Sequence, residues 1–338
     1  MNSPATHVTP QGQALLEVKD LAVHFTAKAK NAWSKPGTVR AVDGVSLTLH
    51  ANETVGLVGE SGCGKSTLAR AVIRLVAPTG GEVIFEGRDV ARLSGSELGE
   101  LRADMQMVFQ DPASSLNPRM TVQDLLAEPM RIAGWDRARI AARSTELLSL
   151  VGLNPRHLQR YPHEFSGGQK QRIVIARALA LAPKLVICDE PVSALDVSVQ
   201  AQIINLLKDI QDRLGVSYLF VAHDLGVVRQ ISQRVMVMYL GRIVEEAPKA
   251  EFFERPLHPY SQALLSAIPR PTPGAASKRI VLKGDLPSPL DPPSGCRFRT
   301  RCPLAQDVCA AEVPPLAEIS PGHRVACHFA GSAFLTAD

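Results

Sequence analysis

Apolar residues in this chain fall into two patterns. Short runs at Val55–Val58, in KLVICDEP (184–191) and in SYLFVAHDLGVV (217–228) are uninterrupted, and each ends in glycine or in polar, ionisable residues. Such runs predict strands buried on both faces of a parallel sheet. By contrast, TVQDLLAEPMRIA (121–133) and RSTELLSLVG (143–152) carry apolar residues at helical spacing, and residues 113–180 read as helical.

The 338 residues suffice for a large core and two domains, and 45% hydrophobic with 21% charged residues is an ordinary globular composition. The net charge of +4 is mild and no Lys/Arg run concentrates it, which argues against a nucleic-acid partner. The opening MNSPATHVTPQGQALLEVKD has no basic segment leading into an apolar one, so no signal peptide is predicted. The longest apolar candidate, IVIARALALAPKLVIC, is broken by Arg177, Pro183 and Lys184, which predicts no membrane span. The expectation is a soluble protein, or one held at a membrane by partners. Nine of the 25 prolines fall between Pro256 and Pro293. They place a boundary near residue 255 and predict an extended tail. The expected division is a flexible N-terminus (1–13), a main domain (14–255) and a C-terminal domain (256–338).

ETVGLVGESGCGKSTLARAVIRL (53–75) carries the strongest chemistry. An apolar strand runs into Gly59-Glu60-Ser61-Gly62-Cys63-Gly64-Lys65-Ser66, and an amphipathic helix follows. Gly59, Ser61, Gly62 and Gly64 belong to a loop whose backbone N–H groups can face phosphate oxygens, aided by the helix N-terminus. Lys65 can reach the β- and γ-phosphates of ATP, and Ser66 can ligate Mg²⁺. Cys63 occupies a free position of the motif and is assigned no chemistry. Downstream, Asp189 is placed to hold Mg²⁺ through water, and Glu190 to polarise the attacking water. His223 ends a further apolar strand, at the edge where open α/β sheets bind ligands, and can sense the γ-phosphate.

Ser166-Gly167-Gly168-Gln169 starts another helix suited to an anion, yet the chain has a single phosphate loop. A second copy of the ATPase, packed head to tail, would supply the missing nucleotide. In order and spacing, GESGCGKST (59–67), FQD (109–111), FSGGQ (165–169), LVICDE (185–190), SALD (193–196) and AHD (222–224) resemble the nucleotide-binding domain of ABC transporters over roughly residues 14–250. FSGGQ departs from the commoner LSGGQ only at its first, apolar position.

That resemblance implies an α/β fold: a RecA-like P-loop NTPase core (about 50–110 and 183–245) with an antiparallel β layer and a helical subdomain. EVKDLAVHF, SLTLH and EVIFEG would supply the layer, and residues 113–180 the subdomain. It also implies roles. Thr67 completes the phosphate loop. Gln110 touches Mg²⁺ and the attacking water and links the site to a membrane partner. Ser166 and Gly168 contact the γ-phosphate held by the opposite subunit, and Asp196 lies in a loop at the dimer interface. Phe25 stacks on adenine, with Trp33, in the insert TAKAKNAWSKPGTVR (26–40), as a competitor.

MVFQDPASSLNPRMTV (107–122), HPYSQALLSAIP (258–269) and the tail CRFRTRCPLAQDVC (296–309) with GHRVACH (322–328) are similar to ATPases of oligopeptide and dipeptide importers. The nickel importers of the same family share these features. The resemblance implies an ATPase peripheral to the cytoplasmic face of the cell's inner membrane. It would pair with a sister or identical ATPase under two permeases fed by an extracytoplasmic binding protein. A soluble, non-transport ABC ATPase is the alternative reading, and a regulatory subunit would need a damaged site.

Cys296, Cys302, Cys309 and Cys327 form the remaining puzzle. A reducing cytosol disfavours disulfides. Structural zinc usually has a short C-x(2–4)-C pair, which is lacking here. Iron–sulfur clusters accept looser spacing, and Cys302-Pro303 is similar to the Cys-Pro step of ferredoxin-type runs. The family resemblance points to a [4Fe–4S] cluster, with zinc or plain thiols as alternatives. On this reading Arg297, Arg299 and Arg301 offset thiolate charge, and His323 and His328 are spare ligands.

Overall fold

The computed structural model describes residues 14–27, 37–268 and 280–332. The expected flexible stretch 1–13, Trp33 and most of its insert lie outside the described residues.

Two sheets organise the chain. Strands β1 (Ala14–Ala27), β2 (Gly37–His50), β4 (Gly80–Phe85) and β5 (Arg88–Asp89) form an antiparallel sheet in the order β2-β1-β4-β5. This is the expected layer, although β1 and β2 are longer than the quoted segments, at 14 residues each. The second sheet runs β11 (Ala317–Ser320), β12 (His323–Val325), β10 (Arg242–Pro248), β9, β3, β8, β7, β6. Its parallel centre comprises β3 (Thr54–Val58), β6 (Met105–Val108), β7 (Leu185–Asp189), β8 (Ser217–Ala222) and β9 (Arg234–Tyr239). Every residue of β3, β7 and β8 is buried, as their unbroken apolar runs predict. Leu57 pairs with both Val221 and Met236, and Asp189 with Val221. The carboxyl ends of β3, β7 and β8 therefore share one edge, and Gly59, Glu190 and His223 follow directly from them.

The helical stretch contains Val122–Ile132, Arg137–Leu150 and Gly167–Ala178, within the expected 113–180. Each starts at a side chain that accepts a backbone N–H three residues on: Thr121, Asp136 and Ser166. Their apolar faces share one core with the underside of the large sheet. A second core lies between the antiparallel layer, the helix Lys65–Val72 and the opposite sheet face.

The tail is more tightly integrated than its prolines predict. β10 (Arg242–Pro248) pairs with β12 (His323–Val325), which pairs with β11 (Ala317–Ser320), so tail strands extend the large sheet itself. Phe252, Tyr260 and Phe298 join the same core as the helical stretch. Tyr239 of β9 stands edge-on to Tyr260 and Phe298, with ring centroids 4.8 and 5.2 Å away. Buried Glu245 of β10 accepts from the N–H groups of Leu257 (2.7 Å) and His258 (3.0 Å), and pairs with Nε2 of His323 at 2.8 Å. That polar knot ties two tail segments to the sheet.

Candidate nucleotide site

The phosphate loop follows β3 and opens into the helix Lys65–Val72. Gly64 caps that helix at φ 111°, a left-handed conformation, and a Cβ there would collide with the carbonyl oxygen of Ala41. At Gly59 a Cβ would run into the carbonyl of Met238. The first turn of the helix holds no acidic residue, so its positive end is not neutralised from within. Lys65 is buried, and its ammonium donates to the carbonyls of Gly59 (2.8 Å) and Glu60 (3.0 Å). Ser61 and Gly62 are exposed at the tip, and Thr67 lies half-buried beside Ser66. Cys63 is buried, and burial pushes its thiol up.

Ser66 donates its hydroxyl to Oδ1 of Asp189 at 2.7 Å. Asp189 is only 2% exposed, and burial raises its carboxyl above the usual range, against the lowering effects of Ser66 and of Arg70 at 3.9 Å. One residue on, Glu190 has φ 49°, a left-handed backbone that costs about 1–3 kcal/mol in a non-glycine residue. Its N–H is held by the carbonyl of Val221 at 3.0 Å. Its Oε2 accepts from Nε2 of Gln110 at 2.9 Å and lies 3.3 Å from Nδ1 of His223. Six residues expected to work together thus form two clusters at one sheet edge: Lys65, Ser66 and Asp189, and Gln110, Glu190 and His223.

The other expected residues lie apart. Ser166 caps its helix in a reciprocal pair with Gln169, and a Cβ on Gly168 would strike Val199. Asp196 is exposed and precedes the helix Val197–Leu214 without a side-chain cap bond, beside Val197, which is 81% exposed. Among the described residues, no hydrogen bond or ion pair joins Ser166, Gly168 or Asp196 to the phosphate loop. Phe25 is 43% exposed near the end of β1, opposite Val39.

Sequence reasoning missed three residues at the loop. The N–H of Glu60 donates to the hydroxyl of Tyr260 at 2.8 Å, and Arg301 grips the Glu60 carboxylate through both terminal nitrogens at 2.7 and 3.2 Å. These partners lie 200 and 241 positions away, and no spacing rule connects them.

The four tail cysteines come together. The N–H of Cys296 donates to the carbonyl of Cys309 at 2.8 Å. Burial pushes the Cys302 and Cys327 thiols up to about 11, and raises that of Cys296. Ionisation is further opposed at Cys302 by the neighbouring Cys327, Cys296 and Cys309, and at Cys327 by Cys296 and Cys309. Among the described residues, no group of three or more His, Cys, Asp or Glu is placed to hold a metal ion. Two of the three arginines are not where the sequence reading puts them, and Arg299 alone favours a thiolate, that of Cys296. Arg297 pairs with Asp43 and the Leu240 carbonyl, Arg299 with Ser294, and Arg301 with Glu60. Both spare histidines are engaged as well: His323 by Glu245 and Glu251, and His328 by the carbonyl of Glu312 at 3.2 Å.

The family described as ABC transporter matches residues 42–193, and the oligopeptide/dipeptide transporter C-terminal region matches 244–309. The oligopeptide transport ATP-binding protein OppF of Salmonella typhimurium is 53% identical over 326 residues, covering 95% of this chain and 97% of the relative. AppF of Bacillus subtilis, also named as an oligopeptide transport ATP-binding protein, is 52% identical over 94% of this chain and 97% of its own. A dimeric ATP-binding cassette solved with ADP and phosphate in a post-hydrolysis state superposes with a TM-score of 0.61 at 28% identity, over 69% of this chain and 98% of that one. No helix among the described residues is long and apolar enough to cross a membrane. With its phosphate loop, buried aspartate and paired glutamate assembled at one sheet edge, and relatives matched over nearly their whole length, this chain belongs to the ATP-binding proteins of the ABC transporter family, in the branch that carries the oligopeptide/dipeptide transporter C-terminal region.

Proposed function

We propose that this chain is the ATP-hydrolysing subunit of an importer for oligopeptides or dipeptides. The observation that carries the reading is the hydrogen-bonded set Gln110–Glu190–His223 beside the Lys65 loop. Lys65 neutralises β/γ-phosphate charge, and leaves the Gly59 and Glu60 carbonyls to do so. Glu190 orients the attacking water and takes its proton, while Gln110 and His223 hold the carboxylate in place. The energy comes mostly from positioning and charge stabilisation.

Ser66 and Asp189 offer a hydroxyl and a buried carboxylate 2.7 Å apart, a hard oxygen pair that fits Mg²⁺. When bound, the ion supplies charge neutralisation between the phosphates. Ser166 and Gly168, unattached to the phosphate loop in their own chain, suit the nucleotide of a second ATPase subunit, and exposed Asp196 and Val197 suit the seam between them. Closure of that sandwich around two ATP molecules would drive two permeases under an extracytoplasmic binding protein, with this subunit peripheral at the cytoplasmic face. Half-exposed Phe25 is the adenine-stacking residue in this reading.

Residues 14–255 form the ATPase domain and 256–338 a C-terminal domain built around Cys296, Cys302, Cys309 and Cys327. The Cys302-Pro303 step and the contact of Cys296 with Cys309 support reading these thiols as ligands of a [4Fe–4S] cluster, although among the described residues no group of three or more His, Cys, Asp or Glu is placed to hold a metal ion. Such a cluster would cross-link the tail segments that carry the thiols.

Co-expression with its permeases and binding protein tests the function. A complex whose ATP turnover rises with added peptide supports it. Purification free of permeases, with turnover insensitive to peptide, would refute it in favour of a soluble ATPase.

A further inference from the structure

The phosphate loop carries a residue that should harm it. Glu60 sits at a position the motif leaves free, yet it places a carboxylate in a loop built to hold a triphosphate. Like charges at such range weaken binding unless compensated. Here the compensation comes from the tail. Arg301, 9% exposed, holds both Glu60 oxygens at 2.7 and 3.2 Å, a bidentate pair with fixed geometry. Tyr260 takes the Glu60 N–H at 2.8 Å, and the Glu60 carbonyl is one of the two that Lys65 grips. Until nucleotide draws Lys65 away, three parts of one residue are thus tethered: the carboxylate and the N–H to the tail, the carbonyl to Lys65. The clamp itself is rigidly seated. The N–H of Arg301 donates to Phe298 (2.9 Å), whose ring packs on Tyr239 and Tyr260. The next residue is Cys302, one of the four clustered thiols.

We infer that Arg301 is a positioning residue of the nucleotide site: it neutralises and orients Glu60 of the phosphate loop, and so couples nucleotide affinity to the state of the tail cysteines. The inference rests on nucleotide occupying the loop, and not on which group the cysteines hold. Coupling of this kind is reciprocal. If disturbing the thiols weakens ATP binding, then bound ATP opposes that disturbance by the same factor at equilibrium, and slower reaction of the thiols is its kinetic sign.

The test is a titration of the full chain with a fluorescent ATP analogue and Mg²⁺. Arg301→Gln leaves the Glu60 carboxylate bare and weakens affinity roughly five- to tenfold. Adding Glu60→Gln to that variant removes the bare charge and recovers affinity, so the two substitutions are non-additive. A merely structural arginine would give a double variant no better than the single one. That result, or a change under twofold in Arg301→Gln, overturns the inference. The wild-type chain provides a second readout that needs no variant to fold. Mg-ATP slows alkylation of the tail thiols or, where they hold a cluster, its bleaching by a chelator. Equal rates with and without Mg-ATP overturn the coupling. An iron-free protein whose thiols are still protected by ATP would refute the cluster while upholding the latch.

Discussion

Gln110 and Glu190, eighty positions apart, share a hydrogen bond of 2.9 Å at the edge of the parallel sheet. The acceptor is a carboxylate on a left-handed backbone, and the donor follows the outermost strand, β6. Gln110 and His223 hold the carboxylate of this strained residue from two sides.

Replacing Glu190 with glutamine keeps the shape and removes the base. Hydrolysis in the assembled complex should fall roughly 10²- to 10⁴-fold while ATP binding persists. Turnover and nucleotide affinity measured on one preparation check this. A variant retaining a tenth of wild-type turnover would place the base elsewhere.

Gly64→Ala adds a methyl where φ is 111° and the Ala41 carbonyl already stands. The loop must shift, and ATP affinity should drop at least tenfold. Gly62→Ala meets open space but still has φ 81°, so its loss should be smaller. Calorimetric titration of both variants ranks them.

His258 sets an acid limit. It is buried, its Nδ1 accepts the N–H of Tyr260, and burial drives its imidazole down to about 4, against the raising effect of the Glu245 charge. The unfolded chain binds this proton near pH 6.5 and the folded chain only near 4. Between those values the unfolded state holds more protons, so stability falls as pH falls, by about 3 kcal/mol in all. Urea midpoints at pH 7.5 and 5 should differ less for His258→Asn, whose amide oxygen can replace Nδ1 without titrating. An unchanged pH slope would show that another group governs the loss.

The tail cysteines lend themselves to metal analysis. Protein purified without oxygen should be brown and carry iron and sulfide in equal amounts, about four of each per chain. Cys302→Ser should bleach it and lower its melting temperature, because the tail strands then lose a cross-link. Colourless protein with titratable thiols would remove the cluster from the account.

The chemistry of the nucleotide site was legible because it is local. A phosphate loop needs its glycines, lysine and serine at fixed spacing, and a wholly buried strand needs an unbroken apolar run, so Lys65, Ser66, Asp189 and His223 could be read as one set. The parallel pairing of β3 with β8 and of β7 with β8 then had to bring them to one edge. Tertiary structure alone decided the rest. Prolines predicted an extended tail, and its attachment was not legible: β12 pairs with β10 and Phe298 enters the core, because strand pairing and apolar burial reward contacts that composition does not encode. The arginines near the cysteines were read as partners of thiolates. In the fold Arg297 meets Asp43 and Arg301 meets Glu60, partners 254 and 241 positions away. Charge pairing depends on distance in space, and sequence proximity does not supply it.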